Sequence, residues 1–159
     1  MALTITSDNL ARYARLHMRP MPGAPFAQTL VQASDPKMEL PTAKRFTEIV
    51  DLLRPRMPGG DEYSQDGRFD CDDYAFIFKG LVCDWYRAER RRDLPLALGL
   101  GWGRFAAFGQ NLYHALNWVI LADDEKLYWV EPQDLRDKPL DDAMRRYSKS
   151  GDRVNLLMV

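Results

Sequence analysis

The spacing of apolar residues changes character halfway along the chain. In the first half it follows a helical period. Ser7 or Asp8 can cap a first helix running to about Leu16, which the proline- and glycine-rich stretch 19–25 then breaks. A weakly patterned segment continues to Leu40. Pro41 and Thr42 open a second helix carried by Phe46, Ile49, Val50 and Leu53 and ended at Pro55. Residues 55–70 read as a loop. A third helix begins at about Cys71, with Asp70 as its cap and Asp73 as the reciprocal acid three residues on. Its apolar positions, Tyr74, Ile77, Phe78, Leu81, Val82 and Trp85, cover a wide arc, which predicts a central helix. From Leu94 the pattern turns β-like. Glycines at 99, 101 and 103 signal close backbone approach, and two strands, 113–121 and 126–131, flank the turn 122–125. A short helix near 140–149 and a last strand over 153–159 complete an α+β order, helices first and then an antiparallel sheet.

Composition changes this picture little. With 159 residues, 46% apolar and 28% charged, the chain reads as one domain over residues 1–159. Within it, residues 1–60 form a helical segment, 65–134 a core, and 135–159 a C-terminal helix and strand. A chain of this size buries about 70% of its unfolded surface. The net charge of −1 gives no electrostatic case for nucleic acid or an anionic membrane. The absence of an apolar span or of a basic-then-apolar leader makes a cytoplasmic protein the expectation. Cys71 and Cys83 sit 12 residues apart in one predicted helix, about 18 Å at 1.5 Å per residue, beyond the reach of a disulfide. Cys83, between Val82 and Trp85, reads as a small core residue. Trp102, Trp118 and Trp129 read as core as well.

Cys71 carries the chemistry. A thiol at a helix start meets unpaired N–H groups and the positive end of the macrodipole. His114 follows on a strand, as a base for that thiol would. If the turn 122–125 holds an even number of residues, cross-strand partners sum to 247. His114 then faces Gln133, with Glu131 diagonal to it on the same face. Glu131 can thereby orient the ring as the third member of a Cys-His-acid triad, and Asn117 should point the other way. Asp72 and Asp73 complement the dipole but oppose an anionic thiol, a penalty that a bound cation would cancel.

Asp70-Cys71-Asp72-Asp73-Tyr74-Ala75, His114, and Trp129-Val130-Glu131-Pro132-Gln133 together resemble the papain-like superfamily of peptidases and transglutaminase-like proteins. The likeness is nearest to the protease-like domain of fungal chimeric agglutinins and to short phage and bacterial proteins, and it covers about 65–134. It implies a papain-like α+β fold, with Cys71 as nucleophile at a helix N-terminus packed on the sheet, His114 as base and Glu131 as orienter. It also implies Gln65 as an oxyanion donor beside the Cys71 N–H, with Gln133 close to the substrate. The agglutinin-type relatives depend on calcium, for which Asp72, Asp73, Glu131, Gln133 and Asp134 could offer oxygen ligands. The resulting expectation is a cysteine peptidase or amidase acting on a peptide or protein. Transamidation with the same triad is one alternative. The other is a non-catalytic phage or bacterial binding or inhibitor module on the same frame.

Overall fold

The computed structural model describes residues 2–23, 28–64, 66–89, 94–108 and 113–159. In chain order the elements are β1 (Thr4–Thr6), α1 (Ser7–His17), β2 (Leu30–Gln32), β3 (Lys37–Glu39), α2 (Ala43–Leu53), α3 (Cys71–Ala88), β4 (Leu98–Arg104), β5 (His114–Ile120), β6 (Leu127–Val130), α4 (Leu140–Ala143), β7 (Met144–Arg146) and β8 (Arg153–Met158). Six strands form one sheet in the order β2-β8-β4-β5-β6-β7, while β1 and β3 pair separately. The architecture is therefore mixed α and β. The expectation of an antiparallel sheet needs correction at its edge, where β2 runs parallel to β8. Residues 30–32 and 37–39 escaped the sequence pattern because three residues show no measurable alternation.

Period-two alternation along β5 sorts the core into two layers. Leu116, Trp118 and Ile120 pack with Leu10 and Ala14 of α1, Met38, and Trp129. Val119 and Leu121 face the other way, onto Phe46, Ile49 and Val50 of α2 and Phe78 and Val82 of α3. The sheet is thus covered on both faces. Truncating a fully buried ring such as Phe78 costs about 3–5 kcal/mol in such a layer.

Two glycines of β4 permit the close pairing that the sequence suggested. A Cβ on Gly99 would lie 1.9 Å from the Met158 carbonyl oxygen, and one on Gly103 would lie 2.1 Å from that of Arg153. The β5–β6 hairpin has the even register: Asn117 pairs with Val130 and Trp118 with Trp129.

α3 starts where its capping residues place it. The Asp70 N–H donates to the Asp73 carboxylate at 3.0 Å, while the Asp70 carboxylate accepts from the Asp72 N–H. The helix buries Tyr74, Ala75, Phe78 and Val82. Cys83 corrects its core reading, because it is exposed; its neighbour Val82 takes the inward position. Among the described residues, no helix is long and apolar enough to cross a membrane.

Candidate functional site

Three polar tethers fix the start of α3 over the sheet. Asn117, fully buried in β5, donates to the carbonyls of Ala75 (3.0 Å) and Gly99 (3.2 Å), joining α3 to β4 and β5. Lys79 donates to the Leu98 carbonyl at 2.7 Å. The Tyr74 hydroxyl donates to the Gly59 carbonyl at 2.6 Å and so holds the preceding loop against the helix. Each such bond contributes about 0.5–1.5 kcal/mol net.

Those tethers set Cys71 beside the ends of β5 and β6. His114 begins β5, and Glu131 follows β6 as the cap of a short 3₁₀ turn, Pro132–Asp134. Both are buried, at 6% and 4% exposure. His114 Nε2 and Glu131 Oε2 lie 2.7 Å apart, and Cys71 interacts with the same ring. The Gln133 N–H donates to Glu131 Oε1, which fixes the carboxylate in turn. Burial alone would lower the pKa of His114. Its hydrogen bonds to Cys71 and Glu131, and the Glu131 charge, reverse that and raise it to about 9. This environment favours the protonated ring, buried between Cys71 and Glu131.

The acids around the thiol divide differently from the expected calcium set. Asp70, Cys71 and Asp72 bring their ligand atoms within 4.8 Å of one another, the one such group among the described residues. Asp73 is turned into the capping box, and Glu131 is engaged by His114. The set of Asp72, Asp73, Glu131 and Gln133, with Asp134 beside it, therefore does not converge on one point, because helix capping and the imidazolium claim its members. Asp134 instead pairs with Lys138 at 2.9 Å. The pKa of Asp72 is raised, chiefly by its hydrogen bond with Asp70 and then by burial. Gln65, expected as an oxyanion donor, lies outside the described residues.

Aromatic groups near the site were assigned to the core by sequence. Trp118 and Trp129 are fully buried, and their indole N–H groups donate to the Leu100 carbonyl and to Asp152. Trp102 differs. It is half-buried, and its ring lies 6.1 Å from that of Phe76, which is 47% exposed on α3. Trp102 pairs with Ala115, the residue after His114 in β5. The available signal was Phe76 itself, an apolar residue off the buried arc of α3. Asn117, expected to point away from His114, acts as a tether.

Residues 60–137 match the family model for the agglutinin C-terminal domain. No curated protein matches the chain. Among solved structures, a PSL1a complex with E64 aligns at a TM-score of 0.67 and 20% identity over 99% of this chain. The lectin of Polyporus squamosus, bound to the human-type influenza-binding epitope Neu5Aca2-6Galb1-4GlcNAc, aligns at 0.62 and 20% identity, again over 99% of this chain. The chain spans half the length of each. These likenesses establish a shared fold with a portion of those proteins.

They also correct the family expectation. The matched names are those of agglutinins and lectins, and none is a papain-like peptidase. The papain-like assignment is withdrawn with everything built on it: the hydrolase, peptidase, amidase and transamidase readings, the standing as an enzyme, and the peptide or protein substrate. The triad's residues do meet, but a Cys-His-acid group is a local arrangement that does not by itself define a family or an activity.

Proposed function

We propose that the chain is a glycan-binding module of the agglutinin type. Its ligand sits over the start of α3, against a polar floor and an aromatic wall. Cys71, His114 and Glu131 form the floor, and the partly exposed carboxylates of Asp70 and Asp72 beside Cys71 accept from sugar hydroxyls. Phe76 and Trp102 form the wall, where the apolar face of a pyranose ring can stack. Gln133, whose backbone N–H bonds Glu131, carries an amide able to both donate and accept. Concave sites with an apolar side and a few converging polar groups are the usual form of small-ligand sites.

One observation carries the reading. The span that matches the agglutinin C-terminal model, residues 60–137, contains every residue of this group, from Asp70 to Gln133. The glycan named in the second structural neighbour supports the choice of ligand class.

A glycan array, followed by calorimetry on its best ligand, tests the proposal. Saturable binding that weakens in Phe76→Ala and in Trp102→Ala, each with unchanged unfolding, is the expected result. Failure of every glycan to bind, or affinity untouched by both substitutions, would refute it. So would turnover of a peptide substrate that disappears in Cys71→Ala.

A further inference from the structure

A second pair of nucleophilic side chains lies two turns along α3, in a cavity separate from the glycan site. The cavity, of about 370 Å³, is walled by Val82, Tyr86, Leu94 and Leu96. Lys79 and Cys83, four residues apart and hence on one helical face, both line it. Lys79 is half-buried, and its amine is held in place by the 2.7 Å bond to the Leu98 carbonyl. The Cys83 thiol is exposed and free. The geometry points to a covalent capture site for small apolar aldehydes, formed jointly by the Lys79 amine and the Cys83 thiol.

Burial lowers the pKa of Lys79, against the smaller opposing effects of Cys83 and Asp35. Desolvation of this kind favours the neutral amine, the form that imine formation uses. The amine lone pair attacks the carbonyl carbon, forming a C–N bond, and the carbonyl oxygen leaves as water to give the imine. The Cys83 S–H then adds across C=N, forming a C–S bond while the proton passes to nitrogen. No electron leaves or enters. Val82, Leu94, Pro95 and Leu96 favour an aldehyde with a small hydrocarbon or aromatic body, and Arg87 lines the same cavity. The site thus differs in ligand class from the glycan site proposed at Cys71.

o-Phthalaldehyde tests the pair, because its fluorescent isoindole forms, with loss of two waters, only when one amine and one thiol are both within reach. The assay uses the Cys71→Ala chain, in which Cys83 is the sole thiol. Isoindole fluorescence is expected there and is expected to vanish in the further variants Lys79→Arg and Cys83→Ala. Arginine keeps the charge but forms no imine under these conditions. Fluorescence that survives Lys79→Arg, or fails to appear in the Cys71→Ala chain with native circular dichroism, would overturn the proposal. A second readout is benzaldehyde with cyanoborohydride and peptide mapping of the unmodified sequence. Lys79 should label several-fold faster than any other lysine, and even labelling would overturn the proposal.

Discussion

Replacing Glu131 by Gln tests the electrostatics of the site at one atom. Gln keeps the shape and can still accept a hydrogen bond from His114, but it removes the charge 2.7 Å from Nε2. With the carboxylate gone, the burial that disfavours the imidazolium is opposed chiefly by Cys71. The pKa of His114 should then fall from about 9 by at least about one unit, a loss of ~1.4 kcal/mol in the preference for the charged ring. Stability follows from linkage. Folding raises the affinity of His114 for its proton, so the stabilisation is complete below about pH 6.5, the unfolded value. It is lost as pH rises through about 9. The shift of His114 corresponds to about 3 kcal/mol over that window, and the variant should lose correspondingly less. Two measurements read this: titration of the His114 Cε1–H resonance, and urea unfolding at pH 6 and pH 9.5 in both proteins. A wild-type resonance titrating near 6.5, or one unmoved by the substitution, would refute the argument.

Other predictions concern the frame that holds the site. Gly99→Ala forces a Cβ against the Met158 carbonyl and the Trp118 ring, where overpacking costs about 1–3 kcal/mol or more; differential scanning calorimetry should show a lowered Tm. Asn117→Ala releases the Ala75 and Gly99 carbonyls and should cost about 1–3 kcal/mol in denaturant unfolding, with faster exchange of the amides at the start of α3. Asp70→Ala removes the cap of α3, a loss of about 0.5–2 kcal/mol. Iodoacetamide labelling in that variant should show a changed rate at Cys71 and none at the distant Cys83. Phe76→Ala should alter stability by no more than about 0.5 kcal/mol, since the ring is exposed. Any loss of ligand affinity in that variant is therefore attributable to the missing stacking surface.

Where a local rule decides the geometry, the chain was readable. The Asp70–Asp73 capping box requires only four consecutive residues, so the first turn of α3 could be placed to the residue. The even register of the β5–β6 hairpin followed from matching two apolar faces, and that parity put Glu131 within reach of His114. Burial assigned by neighbours alone failed. Cys83 and Trp102 each sit among apolar residues, yet which of them turns outward depends on how α3 and β4 meet. Nothing local announces that Lys79 would reach Leu98, or that β2 would add in parallel beside β8, because both join segments far apart in the chain. The family reading failed for a related reason. It rested on three short segments, and matching side chains in them is compatible with more than one family and more than one use.

Binding of a monovalent glycan, followed by two-dimensional NMR of the isotope-labelled chain, tests the central claim most directly. The account predicts saturable shifts concentrated at Phe76, Trp102, Cys71 and His114, with the cavity at Lys79 and Cys83 unaffected. Shifts confined to another face, or none with any glycan at millimolar concentration, would contradict it.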